Sequence, residues 1–146
     1  MKKLILLGLL ITFSCNKFNT QRKNTESDKV VGEKITQIYF DNIMQEKQDD
    51  NLRLFGKEFL AVISKVDFIK QSNIVDTKLG KVLERKLLKW ETNIVNGTNP
   101  KSEYLFIYDV VREKYNSKET FYLKKESTDS IKIQGYNVES EGLLEM

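Results

Sequence analysis

The chain has 146 residues, 40% hydrophobic and 31% charged, which suits one folded domain of ordinary size and excludes a disordered or fibrous chain. It has no histidine and one cysteine, so imidazole acid–base chemistry, thiolate zinc sites and internal disulfides are excluded. The formal charge of +3 is concentrated at the N-terminus: beyond Lys29 the balance is 18 basic to 19 acidic residues, and so neutral a body gives no electrostatic basis for binding nucleic acid.

Residues 1–15 read MKKLILLGLLITFSC. A short basic start, an apolar run from Leu4 to Phe13 and a small residue before Cys15 follow the order of a secretory signal. As a helix that run covers roughly 15 Å, about half the hydrocarbon core, too little to span a bilayer. The segment resembles a bacterial lipoprotein signal, although Thr12 and Phe13 stand where leucine and a small residue are usual. The resemblance implies that residues 1–14 are a signal peptide and that Cys15 becomes the acylated N-terminus. It also implies a place in the bacterial cell envelope, lipid-anchored to a membrane and on the periplasmic side of the outer membrane. The stretch that follows is polar apart from Phe18, so residues 15–29 read as a flexible tether and 30–146 as the folded domain.

From Val30 to about Lys47, apolar residues at Val31, Ile35, Ile38, Tyr39 and Ile43 predict a helix with one face buried, while Phe40 and Met44 project from another side. Asp49, Asp50 and Asn51 cap a short second helix through Leu52, Leu54 and Phe55. After Gly56 comes a segment with Phe59, Leu60, Val62 and Ile63. Ser64 and Asp67 form a capping box for a helix with Phe68, Ser72, Val75 and Leu79 on one stripe and Gly80 at its end.

Beyond Gly80 the period changes from about 3.6 to 2. Val82–Val95 reads as a long strand with Leu88, Trp90 and Ile94 on one face, and Asn96-Gly97 with Pro100 as a turn. Strands follow at Glu103–Glu113, Thr120–Lys125 and Ser130–Val138, the last with Ile131 and Ile133 inward and Lys132 and Gln134 outward. Their short polar joints predict antiparallel hairpins. The fold class is therefore α+β: three N-terminal helical segments packed on a four-stranded antiparallel sheet.

The runs LGKVLERKLLKW, YLFIYDVV, ETFYLKK and IKIQGYNVES resemble a small bacterial secreted domain of the nuclear transport factor two–like, or cystatin-like, superfamily. The resemblance rests on Leu79-Gly80, Arg85, Tyr104, Glu119-Thr120 and Gly135-Tyr136, and it departs at Ile131, where many members carry tryptophan. It implies a curved sheet wrapped round the first helix as an open cone. Some members of such a superfamily are enzymes and others bind ligands or partners, so function rests on the site.

Few residues offer chemistry. Asp109 is an acid inside an apolar strand; facing a cone, it would suit proton abstraction, and facing out it would pair with a cross-strand cation. Trp90, Tyr104, Tyr108, Tyr122 and Tyr136 suit either a ligand mouth or core packing. The sequence holds no Gly-rich phosphate loop, no Ser-His-Asp set and no metal-ligand spacing, so neither cofactor nor metal is expected. The strand Tyr104–Val111 is apolar on both faces, which predicts a homodimer through the sheet. The reading that results is a lipid-anchored, non-catalytic module that binds a small ligand or an envelope protein. The alternative is a small pocket enzyme of isomerase or dehydratase type, marked by a buried carboxylate such as Asp109 with a tyrosine donor beside it.

Overall fold

A computed structural model describes residues 19–127 and 129–144. In chain order the elements are β1 (Thr20–Lys23), α1 (Glu26–Met44), a 3-10 segment (Gln48–Leu54), α2 (Lys57–Leu60), α3 (Lys65–Leu79), β2 (Val82–Asn96), β3 (Lys101–Arg112), β4 (Ser117–Lys125), β5 (Ile131–Glu139) and α4 (Glu141–Leu144). The class is α+β. The strands form one antiparallel sheet in the order β1-β2-β3-β4-β5.

The sheet has five strands where four are expected, and the extra one lies inside the stretch read as a tether. Thr20–Lys23 pairs with Asn93–Asn96 at the edge of β2, and Asn24 continues the contact, its N–H donating to Thr92 O at 3.0 Å. Helix α1 then begins four residues earlier than Val30. Asp28 explains the early start: it takes two hydrogen bonds from Arg22, at 2.7 and 2.8 Å, and one from Thr25. A carboxylate in the first turn also suits the positive end of the helix dipole.

The inner sheet face carries Tyr104, Phe106, Tyr108 and Val110 from β3 and Glu119, Phe121 and Leu123 from β4, all buried. Against it lies α1, but rotated from the expected stripe. Its buried residues are Asp28, Gly32, Thr36, Tyr39 and Phe40. Ile38 is 45% exposed and Met44 54%, whereas Phe40 is wholly buried. The cause is distance. A Cβ on Gly32 would come within 2.6 Å of Tyr104 Cδ1, so the helix approaches the sheet on its small residues. Thr36 Oγ1 meets the Tyr108 hydroxyl at 2.7 Å, and Val31, Ile38 and Met44 turn outward while Ile35 and Ile43 stay partly buried against the core. Phe40, Tyr39, Tyr108 and Phe121 pack edge to face, with ring centroids 5.0–5.9 Å apart.

A bulge between Leu87 and Lys89 corrects a second expectation. The extra residue turns Leu87 and Trp90 toward the core and leaves Leu88 46% exposed. A similar shift opposite Tyr122 brings Gln134 to Gly56 and Glu126 instead of outward. The Ser64–Asp67 cap and the stripe from Phe68 to Leu79 form as expected.

Two outcomes check this account. Gly32→Ala, which on an exposed helix would stabilise, is expected to lower stability by about 1–3 kcal/mol through overpacking against Tyr104. Ile38→Asp should melt near the parent; the reverse order of the two variants in thermal denaturation contradicts the helix placement. The second concerns acid. The Arg22 hydrogen bonds hold the Asp28 carboxyl below its ordinary range, against the opposing effect of burial. A depressed carboxyl pKa contributes stability that is present above the unfolded value near 4 and is lost as pH falls through the folded value. Amide protection factors at Thr20–Lys23, taken relative to intrinsic exchange at each pH, should therefore fall below about pH 4, and Arg22→Gln should remove that dependence.

Candidate functional site

Between α3 and the neighbouring ends of α1 and β5 lies a cavity of about 540 Å³, within the range of small-molecule sites. Ile43, Phe59, Ile63, Phe68, Val75 and Val138 supply apolar walls. Tyr39, Asp76, Arg112, Tyr136 and Asn137 supply the polar end.

That polar end is built on strand alternation. The inner positions of β3 end at Arg112, and those of β4 begin with Ser117 and Glu119. The Arg112 and Glu119 side chains are both fully buried, with Nη2 donating to Oε1 at 2.7 Å. Arg112 also donates to Ser117 Oγ at 3.3 Å, to Asp76 Oδ1 at 3.3 Å and to the Gly80 carbonyl at 3.1 Å. Ser117 passes a hydrogen bond to Glu119 Oε1 at 2.9 Å, and Tyr136 donates to Oε2 at 2.7 Å. Asp76 is fixed from its other side by Gln48 at 2.9 Å.

The electrostatics follow from this packing. Burial alone would pull the Arg112 guanidinium down, but the charge and hydrogen bond of Glu119 outweigh it and hold the group above its ordinary range. Burial and the adjacent Glu119 carboxylate push the Tyr136 phenol well above its ordinary value, so it remains a donor at neutral pH. Tyr39, which shares a side-chain hydrogen bond with Tyr136, is raised by burial in the same way. Glu119 accepts from three groups, and the network closes on itself.

The residues singled out in the sequence separate. Asp109 is exposed on the outer sheet face, in a cross-strand row that runs Lys86, Asp109, Lys118, Glu139. This alternation of sign explains an acid in an apolar strand, and of the two orientations open for Asp109 the outward one, beside cross-strand cations, is the one found. Tyr104 and Tyr108 are core residues beneath α1, 4% and 3% exposed. Trp90 is half-buried opposite Phe106, with Lys29 Nζ 5.7 Å from its ring centroid. Tyr122 lies on the outer face and donates to Glu103 at 2.7 Å, an arrangement that raises its phenol to about 12 through burial and the carboxylate. Tyr136 alone of these lines the cavity. Cys15 lies outside the described residues.

Arg112, Glu119 and Asp76 were not marked by the sequence reading as a site. The signal was present: Arg112 shares its strand face with Tyr104, Phe106, Tyr108 and Val110, and a cation on an aromatic face needs a buried counter-charge. Among the described residues, no group of three or more His, Cys, Asp or Glu side chains converges as a metal site. No known protein family, curated protein or solved structure matches the chain.

The pair makes an asymmetric prediction. Glu119→Leu strands a buried guanidinium and should cost about 3–5 kcal/mol, whereas Arg112→Met with Glu119→Leu should recover part of that loss. Urea denaturation of the parent, the single variant and the double variant measures the difference. A double variant less stable than the single would show that the pair is not the unit of stability.

Proposed function

We propose that the chain is a lipid-anchored, non-catalytic module of the bacterial cell envelope that holds a small amphipathic ligand in the cavity between α3 and β5. The observation that carries this reading is the cavity itself, some 540 Å³ with apolar walls and one polar end. The walls take an apolar body and Gln71, Asp76 and Asn137 offer hydrogen bonds to a polar head. Asp76 presents its carboxylate at that end while the Arg112 charge is already matched by Glu119 behind it, so a neutral or cationic head fits better than an anion. Anchorage is supported by the lone cysteine directly after a short apolar run. Among the described residues no helix is long and apolar enough to cross a membrane.

One observation favours the enzymatic alternative: a buried carboxylate, Glu119, does stand beside a tyrosine donor. Its oxygens, however, already accept from Arg112, Ser117 and Tyr136, which supports a structural role over proton transfer.

The test uses Nile red, a neutral apolar dye, as a probe. The protein should bind it, and Ser72→Trp, which fills the cavity from α3, should weaken binding about tenfold, or 1.4 kcal/mol, with little change in melting. Equal binding by both proteins rejects the cavity as the site. For the anchor, mass spectrometry of membrane-extracted protein should show an acylated Cys15, and Cys15→Ser should release the protein from the membrane.

A further inference from the structure

We infer that the domain rests on the bilayer by the end of the sheet that carries the β2–β3 turn and holds its cavity away from the membrane; this rests on the proposed acylation of Cys15. The argument starts from β1. Because Thr20–Lys23 is paired into the sheet, the chain joins the fold at Asn19, not at Val30. Asn19 is itself fixed to the β2–β3 turn, its Oδ1 accepting from Thr98 N at 3.0 Å. Gly97 permits this contact: at φ 137° it adopts backbone that L side chains avoid, and a Cβ there would collide with Asn19 Oδ1.

Four residue steps separate Asn19 from Cys15, and fully extended they reach at most about 14 Å. The polar headgroup layer of one leaflet takes up roughly 5–7 Å of that. The turn end of the sheet is therefore held within about 10 Å of the headgroups, less than one layer of protein.

The chemistry of this end suits a headgroup surface. From Asn96 to Lys101 it presents small hydrogen-bonding residues, one proline and one lysine, with no carboxylate to repel anionic lipid. The nearby acid Glu103 is already engaged, by Lys101 at 2.8 Å and Tyr122 at 2.7 Å. Exposed Lys23 adds a second cation on β1.

The polar end of the cavity stands at the opposite end. Arg112 is the last residue of β3, and Lys101, the first, adjoins the turn. Twelve residues of strand put them roughly 35 Å apart along β3. No residue of β1, β2 or the β2–β3 turn lines that cavity. A ligand would then be met in the aqueous compartment and not drawn from the lipid beneath the anchor.

The acylated full chain, with its only cysteine blocked, takes a fluorescent bimane label at Thr98→Cys or at Glu141→Cys, the latter on exposed α4. Each protein is reconstituted into phosphatidylcholine–phosphatidylglycerol vesicles containing a headgroup nitroxide lipid. Emission at position 98 should be quenched and emission at position 141 should match that on vesicles without nitroxide. A flexible Gly/Ser insertion between Phe18 and Asn19 should abolish the quenching at 98 while the protein still floats with the vesicles. Equal quenching at both positions, stronger quenching at 141, or quenching at 98 that survives the insertion overturns the orientation. Failure to float overturns the acylation reading instead, and flotation separates that failure from a wrong orientation.

Discussion

The buried contact between Arg112 and Glu119 is the constraint on which the cavity depends. Two ionised groups out of water are costly unless each finds its partner and its remaining hydrogen bonds. Here that requirement dictates much of the local structure. It places the end of β3 against the start of β4, holds α3 through Asp76, and fixes the α3–β2 corner through the Gly80 carbonyl. The cavity stays open because its polar end is braced by charge and not closed by apolar collapse. Tyr136 and Tyr39 extend the same network along one wall.

How much of this was legible in the sequence depends on whether a signal was periodic. The four long strands and the α3 stripe were readable because alternation and the three-four spacing persist over many residues. The first helix was placed but rotated, since apolar spacing favours the bulkiest residues, whereas the closest approach to Tyr104 selects Gly32 and Thr36. Leu88 was placed on the face of Trp90 and Ile94 because a one-residue bulge leaves no trace in composition. The first strand was missed outright: Thr20, Gln21, Arg22 and Lys23 are all exposed, so an edge strand of this kind has no apolar pattern to read.

For the candidate site, the limit was one of facing. Both faces of Tyr104–Val111 are apolar in sequence, so alternation alone left open which face Asp109 shares with the helices. The structure resolves the choice through neighbours. Asp109 lies between Lys86 and Lys118 in the open, and Arg112 finds Glu119 within the protein. Density of aromatics on the even-numbered positions was the clue, because large rings gather on the face that meets a helix.

The first strand has a further consequence, for association between copies. A sheet ends in two rows of unpaired backbone groups, and these are where chains add to one another. Here Thr20–Lys23 covers the Asn93–Asn96 stretch of that edge with a strand only four residues long, too short and too polar to template another. At the far edge, Phe55 bridges Ile133, Gly56 N–H bonds the Ile133 carbonyl, and Lys132 reaches the Arg53 carbonyl. A chain clipped before Glu26 would keep its core yet bare the lower end of β2, including Asn93–Asn96, to its neighbours. Loss of those four residues would thus turn a capped stretch of β2 into a row of free donors and acceptors open to a second chain.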